Sequence, residues 1–108
     1  MPSSFVNANA ALSTTKQTLF AANQVGLRAA VVHGLYISNT SDLTGTTVTL
    51  IFYDGTTLQE REILHATPIG PNSTLVLEKP INLKPLDELR AKTTNSYCQA
   101  FASILLLT

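Results

Sequence analysis

The sequence predicts an all-β fold: a single antiparallel β-sandwich or jelly-roll-like domain of about seven or eight strands, with an extended N-terminal arm. Three observations carry this. Short β-branched and apolar runs recur roughly every ten residues. Clusters of Gly, Pro, Asn and Asp separate them. No segment holds a helical hydrophobic period over three turns. The 108 residues suit one domain and are too few for two. A chain of this size can bury one core without a disulfide or a metal. The expected division is an arm over residues 1–15 and a sandwich over 16–108.

The elements follow in order. Residues 1–15 are small and polar, with Phe5, Val6 and Leu12 set among Ser, Asn, Ala and Thr. They read as an extended arm or a first edge strand, ordered by something outside the core. Lys16 to Asn23 is a short strand, and the turn after it can use Gly26 at positive φ. Arg28 to Asn39 is the most strand-like run. Simple alternation puts Val31, His33, Leu35 and Ile37 on one face, and Val32, Gly34, Tyr36 and Ser38 on the other. A glycine in mid-strand suggests a bulge or a close approach.

Thr46 to Asp54 alternates cleanly, with Val48, Leu50 and Phe52 opposed to Thr47, Thr49, Ile51 and Tyr53. Asp54-Gly55 then signals a hairpin. Leu58 to Thr67 returns with mixed alternation, which fits a bulge. Pro68 to Asn72 is a turn cluster. Leu75 to Leu77 is a short strand, and Pro80 and Pro85 confine Ile81 to Leu83 to an edge. Asp87 to Thr94 gives another strand. The last runs from Tyr97 to about Leu107 and is apolar on both faces towards its end. Exposed at a sheet edge, such a strand invites aggregation, so it is expected at the centre of a sheet with both faces covered, or buried between subunits.

Composition narrows the function. Charged residues make up 13% of the chain, against about 25% in an ordinary domain. Seven basic residues balance seven acidic ones. A free small domain usually keeps away from zero net charge, whereas interface cores are depleted of charge. No basic patch marks a nucleic-acid binder, and no run approaches the ~18 apolar residues of a membrane span. Met1-Pro2-Ser3-Ser4 lacks a charged n-region and a long apolar core, so no secretory signal is expected. Synthesis in the cytoplasm follows as the expectation.

No catalytic residue, cofactor site or metal site is assigned. His33 and His65 lack the third Cys, His, Asp or Glu at ligand spacing that zinc requires; packing or surface roles are the ordinary reading. Cys98 could be a nucleophile only beside a histidine in an electropositive site, and a buried structural thiol is the commoner case. Glu60 and Glu62 share one face of a strand, but a hydrolytic acid pair needs a cleft. Asp42 and Asp54 suit turns. Asn39-Thr40-Ser41 and Asn72-Ser73-Thr74 match a glycosylation pattern that carries no weight without secretion. The aromatic residues have no basic partners and read as core or interface anchors, not as a base-stacking platform.

From about residue 30 to residue 107 the chain resembles a loose group of short tailed-bacteriophage virion proteins. The resemblance lies in Val31-Val32-His33-Gly34-Leu35-Tyr36-Ile37-Ser38-Asn39, then Thr47-Val48-Thr49-Leu50-Ile51-Phe52-Tyr53-Asp54, then Asn72-Ser73-Thr74-Leu75-Val76-Leu77, Pro80-Ile81-Asn82-Leu83 and Asp87-Glu88-Leu89-Arg90-Ala91. Where such proteins often have Gly before the aspartate, this chain has Pro85-Leu86-Asp87. The resemblance implies a sandwich module on a phage particle, and no catalytic residues come with it.

The expected role is therefore a non-enzymatic capsid decoration (cement) protein on the capsid surface of a virion. Its partners are capsid or other virion subunits and further copies of itself, with a trimer favoured, and neither nucleic acid nor membrane. A neck, tail or baseplate adaptor is the alternative. A carbohydrate-binding attachment module stands further back, since the chain has no Trp. Phe5, Val6, Leu12, Tyr36 and Tyr53 are the residues expected to make inter-subunit contacts.

Overall fold

The computed structural model describes residues 3–108, and among them there are nine strands and no helix. The strands are β1 (Ser3–Ala11), β2 (Gln17–Ala21), β3 (Ala29–Asn39), β4 (Thr46–Asp54), β5 (Gln59–Ile69), β6 (Thr74–Leu77), β7 (Ile81–Leu83), β8 (Glu88–Thr93) and β9 (Cys98–Leu107). They form two sheets. The five-stranded sheet runs β1-β9-β3-β6, with β7 also on β3, and the four-stranded sheet runs β2-β8-β4-β5. Every pairing is antiparallel.

One core fills the space between the sheets. The five-stranded sheet contributes Val32, Leu35 and Ile37 from β3 and Ala100, Ala102, Ile104 and Leu106 from β9. Val48, Leu50, Leu89 and Ala91 close it from the other side. The greasy C-terminal strand is central, with β1 on one edge and β3 on the other. Its backbone is laddered on both sides, but only one of its faces is covered, since Phe101 on the other is 40% exposed.

Of the two readings of the N-terminal segment, the structure has the edge strand, and the expectation that something outside the core orders it is corrected: the chain's own β9 does. Ser3 to Ala11 pair with Leu107 to Gln99 without a register break. Val6, Ala8 and Ala10 pack against the core.

The alternation inferred for residues 31–38 is corrected by a bulge between Val32 and Gly34. A bulge inserts one residue and flips every later side chain to the opposite face. Val32, Leu35 and Ile37 are thus buried together, whereas His33 and Tyr36 face out. The same device acts on β5, where the register shifts around Leu50. Glu60 pairs with Tyr53 and Glu62 with Ile51 on the outer face, and Leu64 then pairs with the core residue Leu50.

The Asp54-Gly55 hairpin forms, but not as a two-residue turn. Leu58 N–H donates to the Asp54 carbonyl at 2.8 Å, and Leu58 itself takes the positive φ of 60°. Asp54 caps the loop by accepting from the Thr56 and Thr57 amides at 2.9 and 3.3 Å. Gly55 is needed for a different reason: a Cβ there would collide with the Leu86 carbonyl. The hairpin tip thereby docks on the turn preceding β8.

Candidate interaction surface

The two sheets present opposite chemistry to the outside. None of the residues in β1, β3, β6, β7 and β9 is Asp, Glu, Lys or Arg. The strands of the other sheet carry Asp54, Glu60, Arg61, Glu62, Glu88, Arg90 and Lys92.

On the four-stranded sheet several of the charges pair with one another, while Arg61 bonds the Glu60 carbonyl and Gln59 instead. Glu60 receives Lys16 Nζ and Arg90 Nη1, both at 2.8 Å. Lys16, then Arg90, hold the Glu60 carboxyl below the usual carboxylate range. Arg90 Nε also donates to Glu88 at 3.0 Å, and Glu88 accepts from the Thr18 hydroxyl at 3.1 Å. Burial works against the charge of Arg90, but Glu88 and Glu60 outweigh it and raise its pKa. The guanidinium lies 3.9 Å over the Tyr53 ring. A self-neutralising network of this kind needs no partner. A carboxyl held ionised is a poor proton donor, so Glu60 is ill-suited to act as a general acid.

On the five-stranded sheet the outer face is aromatic, aliphatic and amide. Cross-strand pairs set its pattern: Phe5 opposite Leu105, Tyr36 opposite Phe101, Tyr36 opposite Val76, and Ser38 opposite Gln99. The Tyr36 and Phe101 rings lie 6.3 Å apart, and Phe5 meets His33 edge-on at 5.9 Å. Phe5 is 74% exposed, and Tyr36, Phe101 and Val76 about 40% each. A shallow depression lined by Asn9, Tyr36, Ser38, Gln99 and Phe101 crosses this face.

The five expected contact residues therefore separate. Phe5 and Tyr36 share this outer face. Val6 is half-buried on the core side of β1. Tyr53 is covered by its own chain's Arg90. Leu12 is corrected: it is 1% exposed and belongs to the core. Its amide bonds the Cys98 carbonyl at 2.9 Å, where the chain crosses from one sheet to the other. Side chains at such corners fill the end of the sandwich. Phe101, which the sequence groups with the aromatic anchors, belongs with Phe5 and Tyr36, and so do Val76 and Leu105, which the sequence does not single out. The signal was present, since every segment that became this sheet lacks charge.

The residues with chemical potential stay apart or lack partners. His33 Nε2 and Ser103 Oγ are 3.1 Å apart. Nucleophilic catalysis also needs a group orienting the base, and the hydrogen bond of His33 is to Ser103 and not to a carboxylate. His65 sits on the other sheet, 2.9 Å from Glu62. No cluster of three metal-ligating residues exists among the described residues. Cys98 is buried, which pushes its thiol pKa up, while a hydrogen bond with Thr46 works the other way.

No protein-family model matches the chain, and no curated protein does. Solved structures do match. A mutant VP2 protein of infectious bursal disease virus, in T=1 particles, aligns with a TM-score of 0.59 and 15% identity, over 96% of this chain and 31% of that one. The acid-stable capsid structure of Helicobacter pylori bacteriophage KHP30 aligns with a TM-score of 0.58 and 14% identity, over 97% of this chain and 87% of that one. Disulfide-linked pili of Bacillus endospore appendages align at 0.53 and 13%, over 99% and 87%. The chain thus spans about a third of the VP2 chain it matches. At such identities the likeness establishes the fold: a β-sandwich of the kind found in capsid proteins.

Proposed function

We propose that the chain is a non-enzymatic structural subunit of a virus particle, acting by adhesion between proteins. The observation that carries this is the segregation of charge: one outer face neutralises itself, while the other is uncharged and exposes Phe5, Tyr36, Val76 and Phe101. Contiguous exposed apolar surface marks interaction sites, and interface centres are poor in charge and rich in aromatics. The capsid likeness of the fold supports a place in the virion.

More finely, the reading is a decoration protein on the capsid surface that bridges capsid subunits and associates with copies of itself. A partner that binds only the assembled shell stabilises the shell by its binding free energy. The test is the heat and low-salt stability of shells with and without the chain, alongside its copy number per particle by mass spectrometry. Hundreds of copies and an earlier disruption of the bare shell are expected. A dozen copies or fewer would move the chain to the neck or tail, and unchanged shell stability would end the decoration reading.

A further inference from the structure

Every open sheet must manage its edge strands, because an edge offers a row of unpaired amides and carbonyls to any other chain. The edges of this sandwich are not managed alike. β5 carries Glu60, Arg61 and Glu62, contains Pro68, and is broken by register shifts. β2 is five residues long, with a shift between Thr18 and Phe20. β6 and β7 span four and three residues, with Pro80 between them. Charge, proline, bulges and shortness are the devices by which sheets avoid joining one another.

β1 has none of them. It is nine residues long, without charge, proline or register break, and it pairs with β9 on one side only. The outer residues Ser3, Phe5, Asn7, Asn9 and Ala11 are all exposed. This edge is also continuous with the uncharged aromatic face.

We propose that β1 is a self-association edge: two copies of this chain pair their β1 strands antiparallel about a two-fold axis and join their five-stranded sheets into one. The occupant follows from the symmetry. In a two-fold contact each residue near the axis faces its own counterpart, so any charge there would oppose a like charge. β1 is free of charge throughout. Full overlap of the nine residues centres the axis on Asn7 and sets Phe5 opposite the partner's Asn9. The exposed Phe5 ring then lies over the seam, and amide side chains meet without an unpaired ion. The inference names the partner within the adhesive reading but does not depend on a place in the virion.

The test is sedimentation of the purified full chain over a concentration series, with amide hydrogen exchange. The expected species has twice the 11.6 kDa chain mass. Alternate β1 amides become protected in it but exchange at low concentration. Asn7→Lys weakens the dimer at least about tenfold through like-charge opposition, and Asn9→Lys serves if Asn7→Lys alters the circular dichroism spectrum. Val76→Lys, on the far edge of the same sheet, leaves the dimer intact. A monomer at high concentration, a trimer, or a dimer broken by Val76→Lys and not by the β1 variants overturns the proposal. Those results leave the structural-subunit reading standing, whereas indifferent shells sink the decoration reading and not this contact.

Discussion

Asp87 shows how one side chain can organise two loops. It is fully buried, yet it accepts from the Gly55 amide at 3.1 Å and the Lys84 amide at 2.9 Å, and pairs with Lys84 Nζ at 3.1 Å. This staple fixes the β4–β5 hairpin tip to the turn before β8. Asp87→Ala strands two backbone donors and is expected to cost about 1–3 kcal/mol, read by denaturant unfolding. Asp87→Asn keeps an acceptor and should cost less. Gly55→Ala forces a Cβ into the Leu86 carbonyl, which backbone must move to accept; a loss of roughly 1–3 kcal/mol or more is expected. The sequence marked Asp54-Gly55 as a turn correctly. It gave the glycine the wrong task, because the clash comes from residues thirty positions away. Asn39 tells the same story: it is buried, and its amide donates to the carbonyls of Thr44, Ile69 and Gly70.

At the scale of the element, β9 is the spine of the five-stranded sheet, and its two faces have different duties. Ile104 is fully buried against the other sheet, while its neighbour Leu105 is half-exposed beside Phe5 and Val31. Ile104→Ala should therefore destabilise by about 2–5 kcal/mol. Leu105→Ser should cost much less and instead weaken association. Thermal unfolding of the two variants at low concentration checks the contrast, and equal losses would contradict the assigned faces. Strand positions were readable because β-branched runs and turn residues are local signals. The facing of β3 and β5 was only half readable. Gly34 and the mixed pattern after Leu58 hinted at bulges, but a bulge is placed by the neighbouring strand, and the residues beyond it flip with its position.

Across the whole molecule, the charged strand residues are confined to one sheet, and their pairing sets the response to pH. The carboxyls of Asp54 and Glu60 are held low, the first by the Thr56 amide and the second by Lys16 and then Arg90. Their folded pKa values are depressed, so the stability they contribute is present above the ordinary carboxyl range. It is lost as the pH falls through the folded values, below roughly pH 4. Lys84 is raised, chiefly by its bond to Asp87; its contribution is full below the ordinary lysine value and fades as pH rises past about 10. Melting temperature against pH should show a plateau between these limbs, and Glu60→Gln should flatten the acid limb. Self-association through uncharged surface should in turn be insensitive to salt, since there is no ion pair at the seam to screen. Sedimentation at low and high sodium chloride tests this, and a dimer that dissociates with salt would place the contact on the charged sheet.

The amino-acid order by itself determined the fold class, most strand positions and the shortage of charge. These depend on side-chain period, turn chemistry and composition, which are written locally. Tertiary structure alone decided that the uncharged segments assemble into one sheet, that Leu12 turns inward while Phe5 and Tyr36 share an outer face, and that β1 is left as the unguarded edge. Strand pairing joins residues as distant as Ser3 and Leu107. Which strands become neighbours depends on how the two sheets share one core, and no local pattern records that.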